Sequence, residues 1–222
     1  MLSDLISLGI DVGVRKGLHL VALDERLKPV FVQSGVRVEK VAAICESIKP
    51  DVVMIDSPPD WGLHENQRRA EQELQSRGVH LFATPSDPEK QSKPFYGWMK
   101  VGFQVFDAVA PRFPRYSNDA VRDHAVEIFP YASAVYLAGT LMPKGTSKVR
   151  WRRSVLKGEG VDIGTLTNAD LVDAGLAALT GLYALRDDFT PFGDSAEGVI
   201  VVPRRSASEM RFTKPVMTNG PR

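Results

Sequence analysis

The sequence predicts an α/β fold: a mixed sheet that opens as a three-strand antiparallel meander and continues with parallel strands, with helices on both faces. Three observations carry this. Residues 6–12 alternate strictly, with Ile6, Leu8, Ile10 and Val12 on one face and Ser7, Gly9 and Asp11 on the other. Residues 52–55 read Val-Val-Met-Ile between Asp51 and Asp56, the continuous apolar run of a strand buried on both faces. Between them, residues 39–48 have helical periodicity and stop at Pro50, which supplies the crossover that a parallel strand needs.

Each element follows in order. Aspartate is a poor strand residue, and a carboxylate in a sheet interior is costly unless its charge is compensated. The small neighbours of Asp11 leave room beside it for a ligand or an ion, although Asp11 could equally start a turn into Gly13. Residues 17–24 and 29–38 are the next strands, joined by short turns carrying Arg15-Lys16 and Glu25-Arg26. In the helix of residues 39–48, Val41, Ile44, Cys45 and Ile48 form one stripe, which places Cys45 in the core. Ser57-Pro58-Pro59 ends the fourth strand. Asp11 and Asp56 therefore stand near the C-terminal ends of parallel strands, the edge of an open α/β sheet where ligands bind.

Residues 64–77 predict a polar, solvated helix, with a substrate-facing Arg68 or Arg69 as the lesser alternative. Residues 83–94, rich in Pro, Ser and charge, predict a mobile loop. Met99, Phe103, Phe106 and Ala110 form a helical core stripe. Residues 124–130 predict a short strand with Val126 and Ile128 on one face and Ala125, Glu127 and Phe129 on the other. A Gly/Pro/Ser/Thr loop over 139–147 leads into a basic segment, a long helix spans 168–186, and residues 196–203 form a last strand. With no repeat or compositional break, residues 1–203 read as one domain and residues 204–222 as a disordered tail.

Composition excludes little but is informative. With 28 basic and 27 acidic residues the formal charge is +1, so any nucleic-acid surface must be local. One cysteine forms no internal disulfide, in keeping with a reducing compartment. Asp4 and Asp11 interrupt what would be a leader, and the apolar segment 171–185 contains Asp173 and is too short to span a bilayer. A cytoplasmic protein with no membrane partner is expected.

The acids carry the chemistry. Nearly every residue from 171 to 185 is Ala, Val, Leu, Gly or Tyr, so this helix is buried almost all round and Asp173 is its charged exception. There it needs either a buried Arg or Lys partner or a metal. Asp170, three residues earlier, shares its face, and also sits where a Thr167 capping box would place an acid. Glu127 either pairs with Arg122 on a solvated face or joins the other acids. If Asp11, Asp56, Glu127 and Asp173 converge, repulsion raises their pKa values unless a divalent cation neutralises them. All-oxygen ligands without a His or Cys cluster favour Mg²⁺ or Mn²⁺, and their oxygens would gather within about 5 Å of one another. His19, His64, His80 and His124 lack metal-ligand spacing.

Five motifs in order, Gly9-Ile-Asp-Val-Gly13, Val53-Met-Ile-Asp-Ser-Pro-Pro59, Val126-Glu-Ile-Phe-Pro130, Asp170-Leu-Val-Asp-Ala174 and Glu197-Gly-Val-Ile-Val-Val-Pro203, resemble a known family. It is the predicted nuclease family called domain of unknown function 429, of the ribonuclease H-like superfamily. The resemblance implies a ribonuclease H-like mixed five-stranded sheet. It makes Asp11, Asp56, Glu127 and Asp173 metal ligands and catalytic residues, with Asp170 auxiliary. It further implies two-metal hydrolysis of phosphodiester bonds in DNA or RNA, one ion activating water and the other stabilising the leaving oxygen.

Lys148-Val-Arg-Trp-Arg-Arg153 adds a basic cluster. Lys148, Arg150, Arg152 and Arg153 suit backbone phosphates and Trp151 an unpaired base, or else the segment is a solvated helix start with Trp151 in the core. The family carries a similar basic stretch before its last helix, which implies phosphate contact. Two other function classes compete. One is a non-catalytic nucleic-acid-binding module of the same fold. The other is an actin- or hexokinase-like ATP phosphotransferase, whose two phosphate loops Gly9–Gly13 and Asp162-Ile-Gly-Thr165 imitate, though no buried strand precedes the second.

Overall fold

A computed structural model of the chain describes residues 5–64, 67–117, 120–204 and 212. Seven strands form one sheet: β1 (Ile6–Asp11), β2 (Leu18–Asp24), β3 (Pro29–Val36), β4 (Val52–Asp56), β5 (Ala125–Ile128), β6 (Phe189–Asp194) and β7 (Gly198–Pro203). Their order is β3-β2-β1-β4-β5-β7-β6. The meander β1-β2-β3 is antiparallel, β4, β5 and β7 run parallel to β1, and β6 returns antiparallel on the far edge. This is the mixed architecture the sequence predicts, with seven strands where the resemblance implies five.

The strand the sequence does not announce is β6, Phe-Thr-Pro-Phe-Gly-Asp. Pro191 lacks an N–H donor and breaks the apolar pattern, but an edge strand has one side without a partner, and there proline is tolerated. Among the described residues seven helices accompany the sheet: α1 (Val41–Ile48), α2 (Arg69–Ser76), α3 (Pro88–Gln91), α4 (Gly97–Val109), α5 (Pro130–Ala138), α6 (Lys148–Gly158) and α7 (Ala169–Ala184). Helix α3 and a 3₁₀ turn at Pro94–Tyr96 lie within and just beyond the expected 83–94 loop, and Asp87 caps α3 through the Glu89 amide at 2.9 Å. Helix α5 escapes periodicity analysis because it is buried nearly all round. Its ends carry local signals all the same: Pro130 in the first turn and Gly139 in a left-handed C-cap.

Helices α1 and α4 cover one face, where Val41, Cys45, Val105 and Phe106 pack on Leu8, Ile10 and Leu20. Helix α7 covers the other face, crossing β1, β2 and β4, with α5 and α6 outside it. A Cβ on Gly9 would stand 2.1 Å from the Ala174 carbonyl oxygen, and one on Gly181 2.1 Å from Ser7 Oγ. The small face of β1 is thus filled by the α7 backbone rather than open to a ligand, and only its Asp11 end is left for chemistry. Among the described residues no helix is long and apolar enough to cross a membrane.

One sequence expectation changes at α2. The start of α2 is buried rather than solvated: Arg68 is 1% and Glu71 0% exposed. Residues 205–211 and 213–222 of the expected disordered tail lie outside the described residues. Phe212 is described, and it is buried, with its ring 5.2 Å from that of Tyr136 and its amide donating to the Arg77 carbonyl at 2.8 Å.

Candidate functional site

Asp11 and Asp56 are the last residues of β1 and β4 and are direct partners in the parallel register. Side chains of register neighbours point the same way, so these carboxyl groups meet and share a hydrogen bond. Helix α7 starts above them because Asn168 Oδ1 caps the Leu171 amide at 2.8 Å. The cap is Asn168, not the Thr167 box. This start places Asp170 and Asp173, one turn apart, over the strand ends, where both charges act on Asp11.

Crowding is visible in the ionisation of the group. Burial, then the charges of Asp173 and Asp170, push Asp11 up to about 8 against the opposing pull of Arg152. Burial, then Asp11 and Asp173, hold Asp56 well above the ordinary carboxylate range. Burial raises Asp173 as well, opposed by Arg152. Each shift favours the neutral acid, and a nearby positive charge opposes it.

Part of that charge is internal. Arg152 of α6 donates through Nη1 to Asp173 Oδ2 and lies over the Tyr131 ring at 5.9 Å. Asp173 thus has the arginine partner that one of its two readings expects, and its charge also acts on Asp11 and Asp56. Its Oδ1 is buried without a hydrogen-bond partner, as is Arg152 Nε. An orphaned carboxylate oxygen next to two acids that share a hydrogen bond fits a hard divalent cation. Among the described residues, however, no three or more His, Cys, Asp or Glu side chains are placed so that together they could hold a metal ion. Arg152 accounts for this at Asp173.

Glu127 has a buried arginine partner. Both its oxygens accept from Arg68, Oε2 from Nη1 at 2.8 Å and Oε1 from Nη2 at 2.6 Å. Burial raises its pKa while Arg68 opposes the rise. Glu127 thus holds Arg68 while its charge also raises Asp56, and Arg122 pairs with Asp51 instead. Arg68 Nε reaches Glu71 at 3.0 Å and its Nη1 the Glu197 carbonyl at 3.0 Å. Glu71 in turn accepts from the Thr84 amide at 3.0 Å and hydroxyl at 2.5 Å. One buried guanidinium so ties β5, α2, β7 and the 84 segment together beneath the site. Sequence reasoning missed it, and only the Arg68–Glu71 spacing hinted at it.

The basic segment divides. Trp151 is buried, its ring 5.8 Å from that of Tyr131, so it is a core residue. Arg152 serves Asp173, and Arg153 donates to the carbonyl oxygens of Leu166 and Ile163. Helix α6 packs on α7 through Trp151, Val155 and Leu156, which turns the neighbouring arginines toward protein partners. Lys148 and Arg150 remain exposed.

A histidine also enters. His19 faces Asp11 across the β1–β2 hairpin, with Nδ1 3.1 Å from Ser34 Oγ and Nε2 3.4 Å from Asp170 Oδ2. Burial lowers its pKa, opposed by Asp170, and Lys16 Nζ reaches the same Asp170 oxygen at 3.1 Å. Hairpin register, not metal-ligand spacing, was the signal for it. The phosphate-loop imitation at Asp162–Thr165 follows α6 with no strand before it.

The sheet order β3-β2-β1-β4-β5-β7-β6 is that of a mixed sheet, an antiparallel meander continued by parallel strands. Two solved structures are similar over most of their length. A Thermus thermophilus RuvC structure is 13% identical with a TM-score of 0.46, over 86% of this chain and 99% of that one. The T. thermophilus RuvC in complex with Holliday junction substrate is 15% identical with a TM-score of 0.45, over 82% and 96%. The chain matches no curated protein. The family model described as "Protein of unknown function (DUF429)" matches residues 9–197, and the chain belongs to that family.

Proposed function

We propose that the protein is a divalent-metal-dependent nuclease acting on DNA or RNA, with Asp11, Asp56 and Asp173 as its central acids and Asp170 at their flank. The observation that carries this is the convergence of Asp11, Asp56 and Asp173 at one sheet edge with their protons held abnormally tightly. When bound, Mg²⁺ or Mn²⁺ supplies a Lewis acid for the phosphoryl oxygens and an activated water. Asp11, Asp56 and the unpartnered Oδ1 of Asp173 are the oxygens that would hold such an ion. Arg152, beside Asp173, and the exposed Lys148 supply positive charge where a phosphate approaches. Glu127 acts through Arg68 as a positioning residue.

Cleavage of single-stranded, duplex and branched DNA and RNA in Mg²⁺ or Mn²⁺ tests this reading. Wild type should cleave at least one substrate and Asp11→Asn none. Activity retained in Asp11→Asn would overturn the assignment. One observation favours a second reading, binding without turnover: Arg152 already neutralises Asp173. Retention of nucleic acid with no cleavage in Mn²⁺ would select it.

A further inference from the structure

We propose that a cavity beside Asp56 receives one unstacked nucleobase, so that the substrate is a nucleic acid with an unpaired nucleotide next to the scissile phosphate. This rests on the nuclease reading and narrows its substrate class. The cavity has a volume of about 240 Å³ and is walled by Phe82, Trp98, Met99 and Phe129, with Asp56 at its margin. That is smaller than the roughly 300–1,000 Å³ of pockets for drug-sized ligands and suits a single ring system.

Beside Asp56, most of its polar side chains are bonded to protein partners. Ser57 Oγ donates to the Pro58 carbonyl, Thr84 Oγ1 to Glu71, and Arg68 to Glu71 and Glu127. Such walls offer ring faces rather than hydrogen-bond readout, and stacking tolerates every base.

A second cavity, of about 380 Å³, shares Leu81, Phe82 and Phe129 with the first and adds Tyr131, Lys148 and Arg152. Aromatic wall and cationic wall are therefore continuous, as a base and its own phosphate require. Phe82, on the divide between them, is 65% exposed and forms a T-shaped ring pair with Phe95, itself 53% exposed, at 5.1 Å. An exposed ring pair that adjoins an aromatic cavity forms a contiguous apolar surface, the kind that marks a ligand-binding groove. A paired, stacked base does not reach such a cavity, whereas an unpaired one enters at little cost.

Metal-free binding of fluorescent DNA isolates the cavity from catalysis. The probes are a perfect duplex, the same duplex with a one-nucleotide bulge, and the bulge made abasic. Wild type should bind the base-bearing bulge roughly tenfold tighter than the duplex or the abasic bulge. Phe82→Ala, at an exposed position, and Trp98→Ala should each abolish that preference, and Lys148→Ala should weaken all three probes alike. A 2-aminopurine at the bulge should change its emission on binding wild type and not Phe82→Ala. Equal affinity for all three probes, or a preference that survives Phe82→Ala, overturns the inference. If such a protein still cleaves, the nuclease reading stands; if it binds no probe and cleaves nothing, both fall.

Discussion

Replacing Arg68 with methionine keeps an unbranched side chain in a site that is 1% exposed, but deletes the guanidinium that both Glu127 and Glu71 face. The variant loses two bonds to Glu127, at 2.8 and 2.6 Å, one to Glu71 and one to the Glu197 carbonyl, each at 3.0 Å. Removing one partner of a buried ion pair costs about 3–5 kcal/mol, because the remaining charge is left without compensation. At about 2–4 °C per kcal/mol for a chain of this size, the midpoint should fall by about 6–20 °C.

The deficit also has a predicted pH dependence. Burial already raises Glu127, and Arg68 is the main influence holding it down. Without Arg68 its folded pKa rises further above the unfolded value of about 4.3. A carboxylate raised in the folded state keeps its contribution below the unfolded pKa and loses it as pH rises through the folded one. The difference between variant and wild type should thus be smallest near about pH 4 and grow toward neutrality. Urea unfolding followed by circular dichroism at several pH values measures both, and Arg68→Met/Glu127→Gln should recover part of the loss. A deficit below about 1 kcal/mol, or one independent of pH, would refute the argument that this pair is a buried charge clamp.

Three further outcomes are expected. Asp11, raised from 3.8 to about 8, costs the metal-free protein stability as pH climbs between those values. Asp11→Asn should accordingly stabilise the metal-free protein at neutral pH by on the order of 1 kcal/mol or more, while abolishing any rise in melting temperature with Mg²⁺ or Mn²⁺. Arg152→Ala leaves Asp173 without its cation and should destabilise the metal-free protein by about 3–5 kcal/mol. Added Mn²⁺ should restore more of that loss than it adds to wild type, as differential scanning calorimetry would show. Gly9→Ala drives a methyl to 2.1 Å from the Ala174 carbonyl, so α7 must lift off the sheet. A loss of at least about 3 kcal/mol in urea unfolding is expected, and near-wild-type stability would mean that α7 does not lie so close.

Much of the frame was legible because it is local. Alternation over residues 6–12, the apolar run 52–55 and the uniform burial of 171–185 are properties of contiguous chain, and strand and helix periods convert them directly into elements. The likelihood of Asp11 and Asp56 meeting followed from the same logic, since parallel neighbours that end together bring their last side chains together. Cys45 in the core followed from its helical stripe. Edge strand β6 was hidden by Pro191, whose tolerance depends on having no neighbour on one side. Helix α5 was hidden because burial on all sides leaves no polar phase to read.

Partner choice was decided by the tertiary structure. Glu127 and Arg68 are 59 positions apart, and nothing in either segment distinguishes a metal ligand from one half of a buried pair. Arg152 and Trp151 are adjacent in sequence, yet one faces Asp173 and the other the core because α6 rotates onto α7 through its apolar face. The chain by itself determined where the acids would lie along the sheet. Which of them stay close to a proton or an ion, and which are claimed by an arginine, depends on distances of a few ångströms between remote segments, and Coulomb energies in a poorly screened interior turn on those distances.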